Sequence, residues 1–95
     1  MAKGFVIASV TVTDPGKYAE YVKAATIAIQ KFGGKPLVRG GQCETVEGDG
    51  RMRNVVLEFA DYDTARAYYF SPEYQAAMEL RTGAAVANIT LVEGA

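Results

Sequence analysis

The stretch GFVIASVTVTDP, residues 4–15, indicates how this chain folds. Its first part, Gly4 to Thr13, is rich in β-branched side chains and free of breakers after Gly4, which predicts a strand. One alternate set of side chains is wholly apolar, and the other is apolar at one end and hydroxylated at the other. Because a strand covered on one face shows a polar second set, this pattern favours a central strand buried on both faces.

A helix start follows the strand directly. Asp14 is suited to accept backbone N–H groups as N-cap, and Pro15 at the first helical position gives up an N–H that has no partner there. Apolar residues then recur at steps of three and four as far as Phe32, which predicts a helix of about four to five turns. Gly33 ends it, since glycine takes the left-handed C′ conformation at no steric cost. The apolar stripe consists of Tyr18, Tyr21, Val22, Ala25, Ala28, Ile29 and Phe32.

Residues 36–59 predict a β-hairpin around a Gly-Asp-Gly turn at 48–50. Counting outward from this turn pairs Cys43 with Val55 on the face that the helices cover, where the thiol is an inert core group. Two adjacent glycines, at positions 40 and 41, interrupt the first strand of the hairpin. We interpret them as a β-bulge, which reverses the facing of the side chains beyond it.

The predicted bulge determines which face of the sheet carries the side chain of Arg39. Without a bulge Arg39 faces Phe59 on the apolar side, whereas with one it lies opposite Glu58, and Val38 lies beside Phe59. An unpaired buried charge costs more than a hydrogen-bonded pair, so we predict an Arg39–Glu58 pair on the sheet face away from the helices. Such a pair serves either a structural purpose or a functional site, and both alternatives remain open.

The C-terminal third of the chain contains two helix starts and a last strand. Asp61 is the N-cap of the first helical segment, and Ser71 followed by Pro72 starts another, so the helix breaks and restarts. Gly83 closes the second segment. Residues 86–93 then alternate apolar with polar side chains, which predicts a strand.

The predicted order is strand, helix, strand, strand, helix, strand. We therefore expect one domain over residues 1–95 with an α+β, ferredoxin-like βαββαβ fold, in which the helices cover one face of a four-stranded antiparallel sheet. The other face keeps apolar side chains among polar ones, an unusual patch for a monomer. This predicts a symmetric homodimer in which two sheets close face to face around a cavity. The apolar members of that face are Phe5, Ile7, Val46, Met52 and Val56.

Composition narrows the function classes. The 95 residues are 49% hydrophobic and 22% charged, as in an ordinary globular domain, and the net charge of −1 gives no reason to expect nucleic acid as a partner. The chain has no histidine and one cysteine, so we expect no internal disulfide, no metal and no cofactor. It shows neither a signal peptide nor an apolar run near the ~20 residues of a membrane span, so we expect a cytoplasmic protein without a membrane partner.

Six short motifs extend over nearly the whole chain: VTDP at 12–15, LVRGG at 37–41, VEGD at 46–49, VLEF at 56–59, SPEYQ at 71–75 and LVEG at 91–94. Together they resemble the bacterial family catalogued as domain of unknown function 1330, in the dimeric α/β-barrel superfamily. The resemblance implies a ferredoxin-like protomer that pairs into a dimeric α/β barrel, and it implies no established activity. Members of that family often carry Trp after the Gly-Asp turn and before the Ser-Pro-Glu-Tyr motif, where this chain has Gly50 and Tyr68 or Tyr69.

The resemblance implies two classes of function. In the first, the protein is an enzyme similar to barrel relatives that act without cofactor or metal, such as small quinol-type monooxygenases or lactone isomerases. Arg39 then holds an anionic or enolic oxygen of a small organic acid or phenolic compound in the inter-sheet cavity, and Glu58 acts as base. In the second class the protein is a stress-related or carrier dimer that only binds a small molecule. The ligand-binding candidates are Ser9, Gln42, Asn54, Tyr69, Tyr74 and Arg81.

Overall fold

A computed structural model describes residues 2–95. Its four strands form one antiparallel sheet in the order β2-β3-β1-β4, with the helices packed on one face. The ferredoxin-like α+β fold expected from the order of elements is therefore confirmed, with the second helical region divided in two. The elements are β1 (Gly4–Val12), α1 (Pro15–Lys31), β2 (Lys35–Arg39), β3 (Arg53–Phe59), α2 (Tyr62–Tyr69), α3 (Pro72–Arg81) and β4 (Ala85–Glu93).

The helices begin where short polar side chains cap them. In each case the side-chain oxygen accepts a hydrogen bond from the backbone N–H three residues further on, which satisfies one of the free donors of the first turn. The caps are Asp14, Asp61 and Ser71, as predicted. Gly33 follows α1 with φ of 71°, the left-handed conformation expected of a residue that ends a helix.

Strand β1 lies in the middle of the sheet, between β3 and β4. Its side chains on the helix-covered face, Val6 and Val10, are only 4% and 3% exposed. On the other face Ile7 is 44% exposed. The predicted central position of β1 is confirmed. In a single chain, however, only the face of β1 toward the helices is buried.

The connection between β2 and β3 differs from the predicted hairpin. Residues 40–52 form no strand, so β2 ends at Arg39 and the predicted pairing of Cys43 across the hairpin is wrong. Gly40 and Gly41 adopt positive φ angles of 74° and 91°, which turn the chain out of the sheet. Two glycines that we interpreted as a bulge therefore end the strand instead.

The predicted pair of Arg39 with Glu58 is wrong for the same reason. Glu58 lies opposite Lys35, on the free face of the sheet, whereas Arg39 lies opposite Val55, on the face that packs against the helices. The irregularity in register that sets this facing falls within residues 36–38, before the glycines rather than at them. Arg39 thus belongs to the helix side of the sheet.

Aromatic side chains fill the space between the sheet and the helices α2 and α3. The ring of Tyr68 lies 5.0 Å from the rings of both Phe59 and Tyr74, and all three residues are at most 2% exposed. Such large side chains supply much of the apolar area buried in a small core. Among residues 2–95 there is no helix with the length and apolar character needed to cross a bilayer.

Candidate functional site

A cavity lies between helices α1 and α3 on one side and the sheet on the other. Its volume is about 60 Å³, enough for roughly two water molecules. The walls are mainly apolar and carry a few polar groups, the composition typical of small-molecule sites. The polar lining residues are Tyr18, Tyr21, Thr26, Arg39, Arg53, Tyr68, Tyr74 and Arg81.

Arg39 reaches the cavity from the end of β2. Its Nη2 atom donates a hydrogen bond of 2.8 Å to Oγ1 of Thr26 in α1, and this hydroxyl donates in turn to the backbone carbonyl of Val22 at 2.7 Å. A guanidinium has five N–H donors, so this contact holds the group while leaving donors for a ligand. Because Arg39 is exposed, it lies at the open edge of the cavity.

Arg53 enters the cavity from the first position of β3, on the same face as Val55 and Leu57. Its guanidinium lies 5.5 Å from the centroid of the Tyr18 ring, a cation–π contact. A Cβ atom on Gly40 would lie 2.8 Å from its Nη1, so the glycine leaves space for the guanidinium. The Nε atom is buried and has no hydrogen-bond partner among residues 2–95, an arrangement that costs about 1–3 kcal/mol unless an acceptor binds there.

Two tyrosines and an arginine form a hydrogen-bonded chain at the α3 side of the cavity. Nη1 of Arg81 donates to Oη of Tyr74 at 3.0 Å, and this atom lies 2.8 Å from Oη of Tyr21. The guanidinium of Arg81 also lies 5.3 Å from the centroid of the Tyr21 ring. Burial raises the pKa of both phenols, so both stay protonated at neutral pH.

The cavity is electropositive although the chain carries a net charge of −1. Among residues 2–95, three arginines line it and no carboxylate does. The ion pair found among residues 2–95 joins Lys31 to Glu73 on the helix surface, so these arginines have no acidic partner within the described chain. Apolar walls strengthen the field of such charges, and the arrangement suits an anion. Residues 2–95 hold no cluster of three or more His, Cys, Asp or Glu side chains arranged for a metal ion.

Three of the site residues predicted from the sequence meet in this cavity: Arg39, Tyr74 and Arg81. Sequence reasoning missed Arg53 and Tyr21. The signal for Arg53 was its place in the alternate set of β3 that packs on the helices, and the signal for Tyr21 was its place in the inward stripe of α1. A charged side chain on an otherwise apolar strand face points to a polar group brought into the interior.

The other predicted site residues lie elsewhere. Ser9 and Asn54 pair across β1 and β3 on the free face, and Glu58 lies on that face too, so it does not meet Arg39. Gln42 lies in the exposed segment between β2 and β3, and Tyr69 packs into the helical side of the core outside the cavity. Their proposed contacts with a ligand in an inter-sheet cavity stay predictions.

Solved structures with the same fold match the chain at low sequence identity. A protein of unknown function from Rhodopseudomonas palustris aligns with a TM-score of 0.75 at 17% identity, covering 96% of this chain and 81% of that one. SnoaB, a cofactor-independent oxygenase from Streptomyces nogalater, aligns with a TM-score of 0.64 at 13% identity, covering 97% and 92%. A dimeric ferredoxin-like protein of unknown function from Thermobifida fusca aligns with a TM-score of 0.51 at 18% identity, covering 96% and 92%. These likenesses concern the fold alone.

A family model covers nearly the whole chain. No protein of curated function matches the chain. The family model described as domain of unknown function DUF1330 matches residues 3–95, a range that includes every strand and helix and all of the lining of the cavity. The motifs distributed from β1 to β4 indicated the same assignment, and the chain belongs to the DUF1330 family.

Proposed function

We propose that this protein binds a small organic anion in the cavity between α1, α3 and the sheet. The observation that carries the proposal is the convergence of Arg39, Arg53 and Arg81 on an apolar cavity that has no carboxylate among its described lining residues. A guanidinium presents paired N–H donors that match the two oxygens of a carboxylate, so a carboxylate is the natural anionic group. The buried, unpartnered Nε of Arg53 supplies one such donor.

The size of the cavity limits the ligand. Its volume of about 60 Å³ is well below the ~150 Å³ of an apolar cavity that accepts benzene. The carboxylate of a short-chain acid therefore fits inside while the end of its chain reaches the open edge beside Arg39, whereas most of a ring has to remain outside. This magnitude favours aliphatic acids of a few carbon atoms over bulky aromatic compounds.

The test is a titration of the whole protein with propionate, followed by the nuclear magnetic resonance signals of the arginine Nε–H groups. We expect the Arg53 signal to shift with saturation. Arg53→Gln should weaken binding about tenfold or more, because a hydrogen bond to a charged group contributes ~1.5–3 kcal/mol. Arg66→Gln is the matched control, since Arg66 stacks on Phe70 on the outer surface of α2, 5.0 Å from the ring centroid.

Two results would contradict the proposal. One is a propionate titration that leaves the Nε–H signals of Arg39, Arg53 and Arg81 unmoved. The other is an equal loss of affinity in the Arg53 and Arg66 variants, because that result indicates general attraction to the charge of the chain rather than binding in the cavity.

A cofactor-independent enzyme is the second candidate function, and the Tyr21–Tyr74–Arg81 chain favours it. Protonated phenols and guanidinium groups stabilise negative charge that develops on a substrate oxygen. The likeness in fold to SnoaB, a cofactor-independent oxygenase, is compatible with such chemistry. Glu58, the base expected from the sequence, faces away from this cavity, so electrostatic stabilisation is the contribution that these residues offer. The test is exchange of deuterium into a bound oxo acid. Solvent water takes a proton from the carbon next to the carbonyl group, the site stabilises the enolate oxygen, and solvent returns a deuteron to the same carbon, so faster exchange than in the absence of protein distinguishes catalysis from binding.

We also propose that two copies of this chain pair through the free face of the sheet. Ile7 and Val38 on that face are 44% and 42% exposed, and Val92 near the end of β4 is 38% exposed. A face with exposed aliphatic side chains on both central and outer strands is a natural surface for a symmetric dimer. The ferredoxin-like neighbour from Thermobifida fusca is dimeric, which supports this reading.

A further inference from the structure

In the Arg81–Tyr74–Tyr21 chain one hydroxyl proton is left without an acceptor within the described chain, and burial decides which of the two tyrosines keeps it free. Arginine only donates, so Oη of Tyr74 accepts from Nη1 of Arg81 at 3.0 Å. Tyr74 is 1% exposed, and the acceptor found for its proton among residues 2–95 is Oη of Tyr21, at 2.8 Å. Because an unused buried donor is costly, Tyr74 donates to Tyr21 rather than the reverse.

This order leaves the proton of Tyr21 free to donate. Tyr21 is half-buried and lines the cavity, and no acceptor for its proton is found among the side chains and backbone of residues 2–95. Burial raises the pKa of Tyr21, so the hydroxyl keeps this proton at neutral pH. The cavity therefore presents a neutral O–H donor in addition to the charged donors of its arginines.

We infer that Tyr21 selects anions that carry a second acceptor oxygen next to the charged group, so that the preferred ligands are short oxo acids. This inference rests on the proposed anion site. The guanidinium groups of Arg39 and Arg53 bind the carboxylate, and the hydroxyl of Tyr21 donates to the carbonyl oxygen of the same molecule. A molecule of three or four carbon atoms is long enough to reach both groups of donors, and the part of it that exceeds the volume of about 60 Å³ extends past Arg39 at the open edge of the cavity.

The test compares pyruvate with propionate, which has the same three-carbon chain and charge but lacks the carbonyl oxygen. By calorimetry or nuclear magnetic resonance titration, we expect the whole protein to bind pyruvate about three- to tenfold more tightly, the effect of one neutral hydrogen bond. In Tyr21→Phe this ratio should fall to about one while propionate affinity changes less than about twofold. Arg53→Gln should weaken both ligands and preserve the ratio.

Tyr62→Phe is the matched control, because it removes a phenol hydroxyl that does not line the cavity. A second readout needs no variant and so does not depend on whether Tyr21→Phe folds. In protein labelled at the tyrosine Cζ carbon, the Tyr21 signal should move with pyruvate and stay in place with propionate.

Each failure has a distinct meaning. Equal affinity of wild-type protein for the two acids overturns the assignment to Tyr21 and leaves the anion site standing. A preference for pyruvate that persists in Tyr21→Phe, or that Tyr62→Phe also abolishes, overturns it as well. If neither acid binds, both the anion site and the assignment to Tyr21 fall.

Discussion

Burial changes the chemistry of Tyr68. It raises the pKa of this phenol far above the ordinary value of 10.0, and it raises the pKa of Tyr21 and Tyr74 in the same direction. Near pH 10 the unfolded chain therefore loses protons that the folded chain keeps. The stabilisation from these buried phenols is fully present below about pH 10 and declines as the pH rises further, by up to about 1.4 kcal/mol per pH unit for each tyrosine.

Tyr68→Phe tests this directly, because phenylalanine keeps the ring contacts with Phe59 and Tyr74 and removes the ionisable group. We expect the decline in the free energy of unfolding above about pH 10 to become less steep by about 1.4 kcal/mol per pH unit. Urea unfolding curves at several alkaline pH values measure the slope. An unchanged slope in the variant would show that Tyr68 ionises alike in the folded and unfolded chains.

Tyr21 shows which part of this site was predictable from the sequence. The 3.6-residue period of α1 predicted its inward-facing stripe, and Tyr21 is part of that stripe. Its partner Tyr74 lies 53 residues further along the chain, and a contact of that separation depends on how α1 packs against α3. Periodicity indicates which side of a helix faces inward, but it does not indicate which hydroxyls meet there.

At the level of the elements, Ser71 separates α2 from α3. Its hydroxyl donates to the backbone carbonyl of Tyr68 at 2.7 Å and accepts from the backbone N–H of Tyr74 at 3.1 Å, and the residue is 5% exposed. One hydroxyl thus provides a hydrogen-bond donor to a carbonyl at the end of α2 and an acceptor to an N–H in the first turn of α3. The resulting change of direction carries Tyr74 and Arg81 toward α1, where the cavity lies.

Ser71→Ala should lower the free energy of unfolding by about 1–2 kcal/mol, because it removes an N-cap and leaves a buried N–H without its acceptor. Thr13→Ala, which removes an exposed hydroxyl after β1, should stay within about 0.5 kcal/mol of wild type. Chemical denaturation of both variants measures the difference. Equal stability of the two variants would mean that the α2–α3 junction does not depend on this cap.

The helix starts were predictable because each depends on a local pattern, such as Asp14-Pro15 or Ser71-Pro72. The β2–β3 connection was not, because two glycines in succession fit either a bulge or the end of a strand. The choice between the two depends on the register with β3, which is a contact between distant parts of the chain. A wrong choice reversed the facing of Arg39 and moved the expected site to the opposite side of the sheet.

Across the whole molecule, the two faces of the sheet have different surroundings. One packs against the helices and the other exposes aliphatic side chains, including Ile7 on the central strand. Ile7→Glu should convert the proposed dimer into a monomer, because pairing would bury the new carboxylate between two sheets. Ile27→Glu is the control, since Ile27 is 66% exposed on the outer side of α1. Light scattering after gel filtration at micromolar concentration measures the mass.

The dimer proposal is contradicted if the wild-type chain has the mass of one copy under these conditions. It is also contradicted if Ile27→Glu dissociates the protein as completely as Ile7→Glu does, because the effect would then arise from added charge rather than from the free face.

The side chains of strand β3 alternate between the cavity and the free face of the sheet. Arg53, Val55 and Leu57 face the cavity, and the residues between them face the opposite surface. A deletion or insertion of one residue within β3 would exchange the two sets, and it should abolish the proposed anion binding and the proposed self-association together. The thirteen residues 40–52 form no strand, so we expect a change in the length of this segment to cost little stability. An insertion of one residue between positions 41 and 46, by contrast, should leave the facing of β3 unchanged.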